Sequence, residues 1–278
     1  MSEGRTIRVD GAGGVILAAD EWGDPSQRTV LLLHGGGQTR HSWKSAGTVL
    51  ADAGLHVVAM DLRGHGDSDW APDGDYRITS LRDDILAALP RVGPPVTLVG
   101  ASLGGITSLL VVAAAPSLVD RLVLVDIVTR LEPAGTDRIL GFLRATPDGF
   151  ASLDEAADAV AAYLPHRERP RSADGLRKNL RLRGGRWYWH WDPAVFGDEG
   201  PRPGDDLEAL DAAARSVRVP TLLLRGGRSD IVSDEGVEHF RTLIPHVAVV
   251  RLDEAAHTAA ADDNDAFTSA VADFVLGP

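Results

Sequence analysis

Cysteine is absent from this chain, and so are several other features that would indicate particular functions. Without cysteine, the protein can form no disulfide, no thiolate metal site and no cysteine nucleophile. No apolar run approaches the length of about 18 residues that spans a bilayer, and the first residues lack an apolar signal segment. Basic residues number 28 against 40 acidic ones, for a net charge of −12. This balance argues against nucleic acid or membrane partners, and we expect a cytoplasmic protein.

Apolar runs of strand length alternate with helical stretches in two parts of the chain, residues 1–127 and 218–278. Such alternation predicts an α/β fold with a mostly parallel sheet flanked by helices. Residues 128–217 show helical stretches without a convincing long strand, and we interpret them as an inserted helical lid. The length suits this arrangement of one core domain in two parts with an insertion.

The stretch from Pro95 to Ser117 predicts a strand, a sharp turn and a helix. The turn contains Gly100-x-Ser102-x-Gly104, in which the glycines lack the Cβ atoms that would collide with the neighbouring elements. This turn presents the Ser102 hydroxyl at the carboxyl end of the sheet and leaves the N–H of Leu103 at a helix N-terminus. The pattern predicts a nucleophile with an oxyanion donor beside it.

A serine needs a base to take its proton, and the base needs an acid to orient it. His257 lies in the loop after the last predicted strand and is the predicted base. Asp230 follows the strand after the lid and is the predicted acid, with Asp126, at the end of the strand before the lid, as the alternative. Because ligands bind beyond the carboxyl ends of parallel strands, these side chains should meet at one edge.

The second oxyanion donor is expected from the glycines that follow another predicted strand. The motif is His34-Gly35-Gly36-Gly37. A glycine there lets the backbone approach a substrate oxygen closely, and we predict the N–H of Gly36 as the donor. The choice between Gly36 and Gly37 stays open at this level.

Aromatic residues are few, and several of them cluster within the predicted lid. We expect this cluster, with a tryptophan from the core, to line a substrate pocket; the alternative is that it forms only the core of the lid. The predicted pocket residues are Trp43, Trp187, Tyr188, Trp189 and Trp191.

Five sequence landmarks carry a resemblance to the α/β-hydrolase family over nearly the full length. They are His34-Gly35 with Trp43, Asp61-x-Arg63-Gly64-x-Gly66-x-Ser68, Gly100-x-Ser102-x-Gly104-Gly105, Gly227-Arg228-Ser229-Asp230, and His257. The first three resemble the subgroup with epoxide hydrolases, haloalkane dehalogenases, C–C bond hydrolases, lactonases and cofactor-free haloperoxidases. Two features depart from it: Ala256 replaces the usual glycine before the histidine, and the triple glycine is similar to the oxyanion loop of hormone-sensitive-lipase-like esterases.

The type of nucleophile narrows the expected chemistry. Epoxide hydrolases and dehalogenases of this fold use an aspartate, because water can cleave the resulting ester. A serine that attacked an sp³ carbon would leave an ether that water does not easily cleave, so Ser102 favours acyl transfer. We therefore expect a serine hydrolase of a small-molecule carboxylic ester or lactone that needs no metal or cofactor.

Other functions remain as alternatives. The same residues suit a C–C bond hydrolase of a diketone, or a perhydrolase or haloperoxidase-like activity of the acyl-enzyme. A non-catalytic ligand receptor is disfavoured by the complete set of Ser102, His257 and an acid. The sequence leaves open whether the chain forms a homo-oligomer.

Overall fold

The computed structural model describes residues 4–164, 172–197, 200, 206–253 and 265–277. Its strands are β1 (Arg5–Asp10), β2 (Ile16–Trp22), β3 (Thr29–Leu33), β4 (His56–Met60), β5 (Val96–Ala101), β6 (Val119–Val125), β7 (Leu180–Arg183), β8 (Arg186–Trp189), β9 (Thr221–Gly226) and β10 (Ala248–Leu252). Its α-helices are α1 (Lys44–Asp52), α2 (Ile78–Val92), α3 (Leu103–Ala114), α4 (Pro133–Arg144), α5 (Leu153–Tyr163), α6 (Leu207–Ser216), α7 (Asp234–Leu243) and α8 (Asp265–Leu276).

An eight-stranded sheet has the order β1-β2-β4-β3-β5-β6-β9-β10. β2 pairs antiparallel with β1 and with β4, and every pairing from β4 through to β10 is parallel. The predicted α/β fold with a mostly parallel sheet is therefore confirmed. Because the central strands are parallel, their carboxyl ends lie at one edge, where ligands of such sheets bind.

Apolar layers cover both faces of this sheet. All residues of β3 are buried, as expected of a parallel strand covered on both sides. Leu31 and Leu33 point into a layer that α2 and α3 complete, whereas Val30 and Leu32 point into the layer formed with α1 and α8. None of the helices in the described ranges has the length and apolar content to cross a membrane.

The segment between β6 and β9 contains more than the helices expected from its sequence. β7 and β8 form an antiparallel hairpin, which pairs Leu180 with Trp189. The sequence analysis did not predict this hairpin, because strands of only four residues carry too weak an apolar signal. α6 adds Leu210 and Ala214 to the same apolar layer as α3. The division at residues 127 and 217 stays a prediction.

Candidate active site

Ser102 occupies the sharp turn between β5 and α3. Its backbone has φ 47° and ψ −114°, a conformation that non-glycine residues rarely adopt. The Ser102 N–H donates to the carbonyl of Val125 in β6, with an N–O distance of 3.2 Å. Ser102 is partly exposed at the carboxyl edge of the sheet, and its role as a nucleophile stays a prediction.

Gly104 allows the first turn of α3 to pack directly on the end of β3. A Cβ atom on Gly104 would lie 2.7 Å from the carbonyl oxygen of His34 and closer still to that of Leu33. Both neighbours are backbone atoms of a buried strand end and have little freedom to move. The position of Ser102 therefore depends on a glycine at residue 104.

We expect Gly104→Ala to destabilise the protein by about 3 kcal/mol, because the clash outweighs the helix preference of alanine. The matched control is Gly141→Ala in α4, where an added Cβ meets no atom within 4 Å. That change should stabilise the protein by up to about 1 kcal/mol. Urea unfolding of both variants measures the difference, and a Gly104→Ala protein as stable as the wild type would contradict the close approach.

The turn after β3 brings the predicted oxyanion glycines next to Ser102. The N–H of Gln38 donates to the carbonyl of Gly35 at 3.1 Å, and Gly37 has φ 73°. These values describe a type II turn, which needs a positive φ at its third residue. A Cβ on Gly35 would lie 3.3 Å from the Ser102 Cβ, so the turn is a direct neighbour of the serine.

The hydrogen bonds of this turn distinguish between the candidate donors. The N–H of Gly35 donates to Oε1 of Gln38 at 3.0 Å, and that of Gly37 donates to Nε2 of His65 at 3.2 Å. Within the described ranges, the N–H groups of Gly36 and Leu103 have no acceptor. The geometry therefore favours Gly36 over Gly37 as the partner of Leu103.

Asp126 directly follows β6 and is fully buried, with a φ of 49°. Its Oδ1 accepts a hydrogen bond from the N–H of Gly226 at 2.9 Å, and its Oδ2 accepts one from the Ser229 hydroxyl at 2.6 Å. Its backbone neighbour Val125 accepts the N–H of Ser102. These bonds hold the carboxylate rigidly just beyond the end of β6, the strand that pairs with β5 and lies next to Ser102.

Asp230, the acid predicted first, has a different environment. Its side chain is 40% exposed, and its Oδ2 binds Nε and Nη2 of Arg138 in α4 at 2.9 and 2.6 Å. This ion pair joins α4 to the loop after β9. The placement favours Asp126 as the acid, and both assignments stay predictions. His257, the predicted base, and Ala256 before it lie outside the described residues.

The predicted pocket tryptophans lie in different places. Trp43 is fully buried in the apolar layer of α1 and α8, with its ring centre 5.7 Å from that of Phe267. Its predicted pocket role is therefore not supported, because the indole is part of the core. Trp191 is close to the turn: a Cβ on Gly37 would lie 3.3 Å from its ring.

The other predicted aromatic residues belong to the hairpin and are half-buried. Trp189 stacks on Trp191 with a ring distance of 4.9 Å. Trp187 pairs its backbone with Phe150 and lies under the guanidinium of Arg177. Tyr188 packs against Gly149, where an added Cβ would lie 2.9 Å from its ring. Trp189 therefore supports Trp191, whereas Trp187 and Tyr188 pack against other parts of the segment between β6 and β9.

The family model described as alpha/beta hydrolase fold matches residues 28–263. The chain belongs to the α/β-hydrolase family. The match covers the serine turn, the glycine turn and both candidate acids, so the predicted family is confirmed.

Relatives of this α/β hydrolase include enzymes with named activities. It is 34% identical over 250 residues to esterase Rv0045c of Mycobacterium tuberculosis, which covers 86% of this chain and 78% of that protein. It is 29% identical over 273 residues to the mouse sn-1-specific diacylglycerol lipase ABHD11, covering 91% and 82%. A solved structure of the M. tuberculosis esterase has a TM-score of 0.80 at 30% identity, covering 100% and 93%.

Two side chains that the sequence analysis missed lie over the glycine turn of this hydrolase. A Cβ on Gly36 would lie 3.2 Å from Phe196, and one on Gly37 would lie 2.5 Å from Leu143. Arg144 of α4 donates through Nε and Nη2 to the carbonyls of Phe196 and Gly197 and so fixes this segment. No local pattern marks these residues, because their contacts join distant parts of the chain.

Proposed function

We propose that this α/β hydrolase cleaves carboxylic esters or lactones through an acyl-enzyme on Ser102. The observation that carries the proposal is the pair of N–H groups beside the serine. Those of Gly36 and Leu103 have no acceptor among the described residues, although both flank a strained serine turn. Unpaired donors next to a nucleophile suit the oxygen of a tetrahedral intermediate.

The proposed reaction assigns one task to each residue. His257 takes the proton from the Ser102 hydroxyl as its oxygen attacks the ester carbonyl. The N–H groups of Gly36 and Leu103 donate to the oxyanion, and Asp126 stabilises the imidazolium. The proton then passes to the leaving alcohol, and the acyl-enzyme forms. Water, activated by the same histidine, releases the acid and restores the serine.

The surroundings of the glycine turn support an apolar substrate. Phe196, Leu143 and Trp191 form an apolar wall beside Gly36 and Gly37. A carboxylated diketone, the substrate of the alternative C–C hydrolase, would need a polar group there. The wall therefore favours an apolar ester or lactone, and the names of the esterase and lipase relatives support the same class.

A panel of p-nitrophenyl esters from acetate to octanoate tests this proposal. We expect turnover of the shorter esters, and we expect a fluorophosphonate probe to label Ser102 alone, as located by peptide mapping. A ring-cleavage diketone serves as the comparison substrate. Turnover of the diketone without ester hydrolysis, or labelling of a different serine, would contradict the proposal.

A further inference from the structure

Three buried histidines surround the glycine turn that follows β3. His34 directly follows β3, His65 lies in the loop after β4, and His190 directly follows the hairpin strand β8. The ring centres of His34 and His65 are 5.0 Å apart, and those of His65 and His190 are 6.0 Å apart. Three distant parts of the chain therefore meet at this turn through imidazole rings.

The hydrogen bonds of His34 and His65 determine which ring nitrogen carries the proton. Nε2 of His34 accepts from the N–H of Leu62 at 3.0 Å, so its Nδ1–H donates to the carbonyl of Gly35 at 2.8 Å. Nε2 of His65 accepts from the N–H of Gly37 at 3.2 Å, so its Nδ1–H donates to the carbonyl of Arg63 at 3.1 Å. Each ring is one donor and one acceptor, which is the neutral form.

His190 makes the corresponding pair of bonds from the segment between β6 and β9. Its Nδ1 accepts from the N–H of Gly66 at 2.7 Å, and its Nε2–H donates to the carbonyl of Gly37 at 3.3 Å. Burial holds the pKa of His190 well below its ordinary value, and it lowers the pKa of His34 to about 4 and that of His65 to about 3. All three rings are therefore uncharged at neutral pH.

Two peptide planes connect His190 to the N–H of Gly36. In a trans peptide, the C=O and the N–H point in opposite directions. The Nε2–H of His190 donates to the carbonyl oxygen of Gly37. The N–H of the same peptide group belongs to Gln38 and donates to the carbonyl of Gly35 at 3.1 Å. The other side of the Gly35 peptide is the N–H of Gly36.

We propose that His190 is a positioning residue for the oxyanion site, because its Nε2–H orients the N–H of Gly36 through the peptides of Gly37 and Gly35. This role rests on the proposed function, in which Gly36 binds the oxyanion. It also makes the packing of the segment between β6 and β9 necessary for full turnover, because His190 contacts the glycine turn only when that segment packs against the loop after β4.

Two amide substitutions separate the two hydrogen bonds of His190. In His190→Gln, the amide nitrogen reaches the position of Nε2 and can still donate to the carbonyl of Gly37. In His190→Asn, the shorter amide keeps only the position of Nδ1, which faces the N–H of Gly66. The two variants therefore differ in whether the bond to Gly37 is kept.

We expect His190→Asn to lower kcat by about 10- to 100-fold, a part of the 10²–10³ that a complete oxyanion donor supplies. We expect His190→Gln to retain kcat within about 3-fold, with KM nearly unchanged in both variants, because the oxyanion forms only during reaction. The rate of labelling by a fluorophosphonate should fall in the same order. Thermal unfolding reports whether both variants are folded, and His190→Leu replaces the asparagine variant if that one is not.

Equal kcat in the two folded variants, or a loss confined to KM, would overturn the positioning role. The proposed function has its own test, because wild-type ester turnover that disappears in Ser102→Ala supports it whatever the His190 variants do. A wild-type protein that hydrolyses no ester in the panel would overturn the proposed function and, with it, the role of His190.

Discussion

Replacing Ser102 with alanine is expected to lower ester turnover at least about 10⁴-fold while the protein stays folded, because no other group can form the acyl-enzyme. The hydroxyl is partly exposed at the end of β5 and contributes little to packing. Single-turnover and steady-state assays with a p-nitrophenyl ester measure the loss. A Ser102→Ala protein that keeps its turnover would remove the serine from the mechanism.

The strained backbone of Ser102 adds a second expected result for the same residue. Sparsely populated backbone conformations cost roughly 1–3 kcal/mol, and glycine avoids much of this cost. The backbone at residue 102 has φ 47° and ψ −114°. We therefore expect Ser102→Gly to be more stable than Ser102→Ala by about 1 kcal/mol, and we expect both variants to be inactive. Urea unfolding compares them directly. A glycine variant that is less stable than the alanine variant would contradict the strain.

The fold around Ser102 could be predicted because its signals are local. A continuous apolar strand, a Gly-x-Ser-x-Gly turn and an alanine-rich helix follow one another within 23 residues, from Pro95 to Ser117. Close approaches at Gly104 explain why this pattern needs its glycines. Parallel strand pairing follows from the alternation of strands and helices along the chain. The sheet and the position of the serine turn can therefore be predicted without knowledge of distant contacts.

The features that sequence reasoning missed depend on distant contacts or on side-chain environment. The N–H of Gly66 binds His190, a residue 124 positions further along the chain. Phe196 reaches Gly36 from the segment between β6 and β9, far along the chain from the glycine turn. Asp126 and Asp230 both follow predicted strands, and the sequence could not show that one carboxylate is buried while the other pairs with Arg138.

Asp126→Asn should lower turnover by about 10³- to 10⁴-fold, because an amide cannot stabilise the imidazolium and favours the wrong tautomer of the base. The fold should survive this change. The amide oxygen can still accept from the N–H of Gly226, but the Ser229 hydroxyl already accepts from the N–H groups of Ile231 and Val232 and loses its own acceptor, Oδ2. We therefore expect a stability loss of about 1–3 kcal/mol. A folded protein with lost turnover would separate a catalytic role from a structural one.

Asp230→Asn is the matched control, because it removes the same charge at the other candidate acid. Its ion pair with Arg138 is exposed, and such pairs contribute about 0.2–1 kcal/mol to stability. We therefore expect turnover within about 3-fold of the wild type, since an exposed carboxylate held by an arginine is poorly placed to orient an imidazole. Parallel assays of kcat and kcat/KM decide between the two acids. A larger loss in Asp230→Asn than in Asp126→Asn would make Asp230 the acid and would leave Asp126 the task of holding the loop of Gly226 and Ser229.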